Sequence, residues 1–317
     1  MGVRMNILLW HVHGSWTTSF VQGRHTYLVP LTPDRGPDGR GRATSFEWPA
    51  SVREVPFDRL RDEDVDVVVY QRPHEIDLAG SWLGRPVPGV YVEHNTPRGD
   101  PPATRHPLAG QSAIPLVHVT HFNALYWDNG SAPVRVIEHG VVDPGHLYTG
   151  ELPRAGVVIN EPVRRTRVAG TDLLPAFQVP IDLFGMNTDG LPYPGYDLPQ
   201  AELHAALARR RAYLHPYRWT SLGLSLIEAM MLGLPVVALA ATEAIEAVPA
   251  DAGVLSTRLP VLVEALSAFV SDPSLAGQYG KAARQAALSR YGITRFLADW
   301  DSLLGESPGT PCAHNAH

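Results

Sequence analysis

Short apolar runs recur along this chain, and they are continuous where a surface strand would alternate. In the first half they fall at 6–12, 65–70, 87–93, 114–119 and 134–138, and in the second at 156–160, 181–185, 211–215, 235–239 and 253–256. Each spans four to seven residues, mostly aliphatic or β-branched. A strand that is apolar on both faces must be covered on both faces, as in a parallel sheet between helices. Helical patterning fits the segments at 170–178, 199–209, 224–232, 260–271, 274–290 and 294–304. The order predicts an α/β chain with two successive five-strand sets, read as two Rossmann-like domains facing a cleft.

Composition narrows the partners. A length of 317 residues suits two domains, and 44% hydrophobic content is enough for two cores. A net charge of −6 argues against a nucleic-acid binder, which would show a basic field. The single cysteine, Cys312, rules out a disulfide frame or a cysteine metal site within one chain and fits a reducing compartment. No 18-residue apolar stretch occurs, so stable membrane insertion is not expected and a cytoplasmic location is. The 28 glycines and 29 prolines fall mainly between the apolar runs and read as tight loops. A Gly- and Pro-rich stretch at 143–154 reads as the linker, and a second at 186–199 as an inserted loop. The resulting domains are 1–148 and 149–292, followed by a helix at 293–305 and a disordered tail at 306–317.

The segment HPYRWTSLGLSLIEAMMLGLPVVALAATEA, residues 215–244, carries the most chemistry. A His-Pro turn leads to the loop Thr220-Ser221-Leu222-Gly223-Leu224. An amphipathic run follows, stops at Gly233 and gives way to a short apolar strand. A glycine loop feeding a helix N-terminus is an anion site, because free N–H groups and the positive end of the helix dipole both face it. Glu228 lies in that helix, where a carboxylate could accept hydrogen bonds from vicinal hydroxyls.

This segment resembles the donor-sugar motif of GT-B glycosyltransferases, in particular the large retaining family called GT4 (group 1 glycosyltransferases). The matching positions are Pro216, Gly223, Leu224, Glu228, Ala229, Met230, Gly233, Pro235, Val236, Val237 and Ala238. The first Glu of the family's paired-glutamate signature falls on Thr220. In the family that Glu sits near the donor sugar and the second binds the nucleotide ribose, a role the resemblance gives to Glu228. VIEHGVVD at 136–143 and GVVINEPVRRTRVAGTDLL at 156–174 sit where the family has two further conserved stretches. The resemblance implies an acceptor-side N-terminal domain, a nucleotide-sugar-binding C-terminal domain, and a last helix crossing back onto the first.

Further candidates follow strand ends, where α/β sheets bind ligands. Arg164-Arg165-Thr166-Arg167 follows a predicted strand, and in the family a basic pair in this loop grips the donor diphosphate. Arg165 and Arg167 are the candidates, since the guanidinium fork suits phosphate; a solvated basic turn is the alternative. Gly14 and Ser15 follow the first strand, where the family has a glycine loop over the donor and an ordinary turn is the bland reading. His94 ends the third predicted strand, where family members place a histidine near the sugar and acceptor. His121 and His139 end later strands and are possible cleft-lining residues. Glu243 lies where the family contacts the transferred sugar, a task the N–H groups of residues 241–243 could also perform. Asp64-Val65-Asp66 spells an Asp-x-Asp pattern but leads into a strand, which reads as a solvated strand entrance.

These features together read as a metal-independent glycosyltransferase moving a sugar from a nucleotide-diphosphate sugar to a small-molecule or glycan acceptor, with retention and without a cofactor. Two alternatives stay open: a catalytically weak nucleotide-sugar-binding protein, favoured by Thr220, and a nucleotide-sugar epimerase of the same architecture.

Overall fold

A computed structural model describes residues 3–101 and 103–306. The first unit contains β1 (Asn6–Leu9), α1 (Gly14–Phe20), β2 (Thr26–Leu31), β3 (Val52–Pro56), β4 (Val67–Tyr70), α2 (Glu75–Leu83), β5 (Gly89–Glu93), β6 (Leu116–His118), α3 (His121–Tyr126) and β7 (Val134–Val136). Its strands form one parallel sheet in the order β3-β2-β1-β4-β5-β6-β7. The order reverses between β1 and β4, so the loops after these two strands flank a switch point. Residues Ile7 to Leu9 and Val67 to Val69 are buried, as continuous apolar strands require.

Two of these strands were not expected. β2 carries Pro30, which reads as a strand breaker. It is tolerated because β1 pairs with β2 only as far as Leu28, leaving Pro30 to pair with β3 alone. β3 is an edge strand, and VREVP is only partly buried. The first strand ends at Leu9, earlier than the apolar run suggests.

The second unit contains β8 (Leu152–Val158), α4 (Thr166–Ala169), β9 (Ile181–Phe184), β10 (Gly195–Tyr196), α5 (Gln200–Ala208), β11 (Arg210–His215), α6 (Leu224–Leu232), β12 (Val236–Leu239), α7 (Ala244–Ala247), β13 (Gly253–Ser256), α8 (Leu259–Ser271) and α9 (Pro273–Tyr291). Its sheet is also parallel, in the order β10-β9-β8-β11-β12-β13, with the switch point between β8 and β11. α6 is buried from Leu226 to Leu232 and ends on Gly233, whose φ of +99° is a left-handed stop. The expected helix at 170–178 is replaced by one α-turn, a left-handed Gly170, and a 3-10 turn at Thr171–Ala176 that contains Pro175. The expected linker at 143–154 overlaps β8, and the expected loop at 186–199 holds the short strand β10.

The last helix, α10 (Ile293–Gly305), packs within the first unit, and Val141–Gly292 form the second. Trp300 of α10 meets Trp16 and Phe20 of α1 at ring distances of 5.7 and 5.0 Å. His25 takes the Met5 N–H on Nδ1 and contacts Asp301 of α10 through Nε2 at 2.8 Å. The part of the expected tail that follows Glu306, including Cys312, lies outside the described residues.

Candidate active site

In the second unit, β11 delivers the chain to the loop at 216–223, and α6 starts at the sheet's C-terminal edge. Gly223 is the N-cap, with extended φ and ψ of −69° and 119°, and no side chain caps the helix. The start of this buried helix is thus presented at the sheet edge with no side-chain cap from Gly223, while the Leu226 N–H bonds the Gly223 carbonyl at 2.9 Å. A Cβ on Gly223 would press on the His215 ring at 2.8 Å, so Gly223 packs directly against that imidazole. Tyr213 Oη lies 3.2 Å from His215 Nδ1 and 3.0 Å from Ser225 Oγ, tying strand, imidazole and helix start together. Burial pushes the His215 pKa down to about 3, keeping it neutral beside the loop. Ser221 and Leu222 are buried; Thr220, Gly223 and Leu224 are half-buried.

The loop after β8 is fastened to the same loop. A Cβ on Gly170, at φ +77°, would run into the Pro216 carbonyl oxygen, so only glycine allows this approach. Arg218 grips Asp172 through two hydrogen bonds of 2.6 and 3.0 Å and donates to the Arg167 carbonyl at 2.8 Å. That guanidinium holds the Asp172 carboxyl below its usual range. The three arginines of this stretch, of which Arg165 and Arg167 are the candidates, separate here. Arg164 pairs with Glu161, whose own φ is +54°. Arg167 is 78% exposed and reaches Asp172 at 3.4 Å. Arg165 is half-buried, lies over the Tyr217 ring at 5.7 Å, and has no carboxylate within ion-pairing distance among the described residues. Of the three it alone has no carboxylate ion pair, although its charge also acts on Glu161.

Glu228 is the fifth residue of α6 and is 8% exposed. Gln200 Nε2 donates to its Oε1 at 3.0 Å, and His204 Nε2 stands 3.3 Å from its Oε2. Both partners come from α5, and sequence reasoning missed them; the Gln-x-x-x-His spacing, which sets both on one helix face, was the available signal. Glu243 precedes α7, is buried, and accepts from Arg290 at 3.2 Å. Thr242 beside it has a φ of +51°.

In the first unit, histidines gather at the C-terminal ends of the strands. His94, after β5, lies 4.0 Å ring to ring from His13, which follows β1, and 5.0 Å from Trp16. Burial lowers the pKa of His94 and brings His13 down to about 4 and His139 down to about 3. These rings are therefore neutral near pH 7. His94 Nε2 and His139 Nδ1 are buried without a hydrogen-bond partner among the described residues. His121 is apart from this group, exposed at the start of α3. Gly14 opens α1 under the Phe46 ring, which a Cβ would displace, and Ser15 is half-buried.

Sequence reasoning also missed the loop after β4. Glu75 is buried and accepts from the Gln71 and Arg72 backbone N–H groups at 2.6 and 3.1 Å and from Arg72 Nε at 2.7 Å. Asp38, from the long segment between β2 and β3, pairs with Arg72 and His74 at 3.0 and 2.9 Å.

Asp66 of the Asp-x-Asp pattern accepts the Asn6 N–H at 2.7 Å, and the Asp64 carbonyl accepts from Asn6 Nδ2 at 2.8 Å. Both residues serve the entrance to the sheet. Among the described residues no group of three or more His, Cys, Asp or Glu is placed to hold a metal ion. No single helix among them is long and apolar enough to cross a membrane; α8 and α9 would reach that length only as a pair, and they bend by 108°.

Comparison with known proteins points the same way as the α6 loop. Residues 189–286, which include Gln200, His204, the loop and Glu228, match the family described as glycosyl transferases group 1. No curated protein matches the chain. Sucrose-phosphate synthase from Thermosynechococcus elongatus has a similar structure, with a TM-score of 0.70 and 14% identity over 96% of this chain and 99% of that one. HepE from Anabaena, solved in complex with UDP-glucose, gives a TM-score of 0.64 and 14% identity over 96% of this chain and 100% of that one. A glycosyltransferase from Rickettsia africae gives 0.64 and 13% identity over 96% and 98%. At these identities the likeness is one of fold: two parallel-sheet α/β domains of the GT-B kind.

Proposed function

We propose that the chain is a glycosyltransferase that takes a nucleotide-diphosphate sugar as donor and transfers the sugar to an acceptor hydroxyl with retention of configuration. The observation that carries this reading is the uncapped start of α6 at the switch point of its sheet, with Arg165 docked on the adjoining loop and Glu228 in the same helix. The match of residues 189–286 to group 1 glycosyltransferases supports it.

In this reading the diphosphate lies against the α6 N–H groups and Arg165. As the bond from the anomeric carbon to the diphosphate breaks, its electron pair stays on the diphosphate oxygen. The helix dipole and the guanidinium oppose that growing charge without rearranging. Glu228 accepts from ribose hydroxyls. His94, neutral and close to His13, serves the acceptor as a hydrogen-bonding group rather than as a cation.

A second reading, a binding protein with weak or no transfer, has one observation in its favour: Thr220 offers no carboxylate to the donor sugar, and Glu243 is already engaged by Arg290. A panel of nucleotide sugars separates the two. A ligand at 100 times its dissociation constant stabilises by ~2.7 kcal/mol, which a thermal-shift assay reads easily. Stabilisation with turnover supports transfer, and stabilisation without turnover in any acceptor screen supports the binding protein. If no nucleotide or nucleotide sugar stabilises the chain, both readings fall.

A further inference from the structure

Glu228 is the only acidic residue of α6, and α5 fixes how it faces. Gln200 and His204 are four residues apart on α5, so they share one helix face. The amide holds Oε1 through a hydrogen bond of 3.0 Å. The imidazole Nε2 stands 3.3 Å from Oε2, outside hydrogen-bonding geometry. The amide hydrogen bond on one oxygen and the imidazole packed beside the other set the carboxylate plane, because turning it would separate both contacts.

A carboxylate offers about four lone-pair sites, so each oxygen keeps acceptor capacity beyond these contacts. Two acceptors held side by side match two hydroxyls on neighbouring carbons, each donating one hydrogen bond. A sugar with only one of those hydroxyls leaves one oxygen of a nearly buried carboxylate short of a donor, which is where hydrogen-bonded sites discriminate most strongly.

We propose, resting on the donor reading above, that Gln200 and His204 are positioning residues that hold Glu228 to read a ribose cis-diol. They make the chain selective for ribonucleoside-diphosphate sugars against 2′-deoxy donors such as thymidine-diphosphate sugars.

Calorimetry with UDP and 2′-deoxy-UDP, and with the corresponding adenine and guanine pairs, tests this on the full chain. For the base that binds, the wild type should favour the ribose form by ~10-fold or more, the factor for one hydrogen bond to a charged group. Gln200→Leu and His204→Ala should cut that ratio to below ~3-fold by weakening the ribose form alone, and His204→Gln should recover most of it. A merely structural role would lower thermal stability and leave the ratio unchanged. Gln200 is half-buried, so its variant remains informative if His204→Ala fails to fold. Equal affinity of the wild type for both forms, or a ratio unchanged in Gln200→Leu, overturns this inference while leaving the donor reading intact. Absence of binding by every nucleoside diphosphate overturns both.

Discussion

The guanidinium of Arg165 lies over the ring of Tyr217, 5.7 Å from its centroid, and so joins the loops that end β8 and β11. The contact orders a cation that would otherwise sample many rotamers, and Tyr217 is itself fixed by its hydroxyl donating to the Val158 carbonyl at 3.1 Å. Arg165→Ala should lower kcat/KM by ~10- to 150-fold, the loss of ~1.5–3 kcal/mol for a hydrogen bond to a charged group. Arg167→Ala, exposed and already facing Asp172, should change it by less than ~3-fold. Steady-state kinetics of the two variants decide the point; equal losses would remove the distinction drawn between them.

Glu228→Gln keeps the shape and removes the charge. Donor affinity measured by calorimetry should fall by ~1.5–3 kcal/mol, because a carboxylate accepting from hydroxyls is replaced by a neutral amide. Affinity equal to wild type would end the ribose role.

Three buried imidazoles give the protein a directional response to acid. The folded pKa values of His13, His139 and His215 are pushed down to about 4, 3 and 3 by burial. In the unfolded chain each titrates near ~6.5. Below that pH the unfolded chain takes up protons that the folded chain does not, so stability is full above ~6.5 and falls as the pH drops toward 4. The limiting slope is ~1.4 kcal/mol per pH unit for each histidine. Urea midpoints should be lower at pH 5 than at pH 7.5, and His215→Asn should narrow that gap even though it destabilises at both. An identical gap in wild type and variant would show that His215 is not titrating in this way.

The alternation of strand and helix was legible because buried parallel strands leave continuous apolar runs, as 65–70 does for β4. β2 was not, because Pro30 marks a breaker and only the register with β1 shows that it falls past the last shared pair. The region 170–178 carried apolar residues at helical spacing, yet Gly170 is left-handed and pressed against Pro216, so a tertiary contact set the backbone. Within the site, Glu228 and the loop to Gly223 were legible because their chemistry is local in sequence. Gln200 with Glu228, Arg165 over Tyr217, and Phe46 on Gly14 were not, since each pairs residues from different elements that only the fold brings together.

Transfer should proceed without an added divalent cation. The α6 N–H groups and Arg165 can carry the charge that a metal would otherwise neutralise on the diphosphate. Turnover should be unaffected by EDTA; loss of activity restored by magnesium or manganese would mean that the protein groups are insufficient.

In the resemblance of 215–244 to the donor-sugar motif, Thr220 stands where that motif has its first glutamate, so a change in donor preference is expected there. It is half-buried in the loop before α6, between Arg218, which is locked to Asp172, and buried Ser221. A threonine hydroxyl can donate and accept, whereas a glutamate only accepts and adds a charge. Gly223 packs closely on the His215 ring and the helix start has no side-chain cap, features that do not involve residue 220, so under the proposed function diphosphate binding is expected to survive a change there. Wild type should therefore turn over at least one nucleotide sugar whose hydroxyl pattern differs from that of glucose or mannose, and Thr220→Glu should shift preference toward those common hexoses. Donor panels run on both proteins give the answer. No turnover by wild type, together with activity gained in Thr220→Glu on a common hexose donor, would identify the natural chain as a nucleotide-sugar-binding protein in which residue 220 is the lesion.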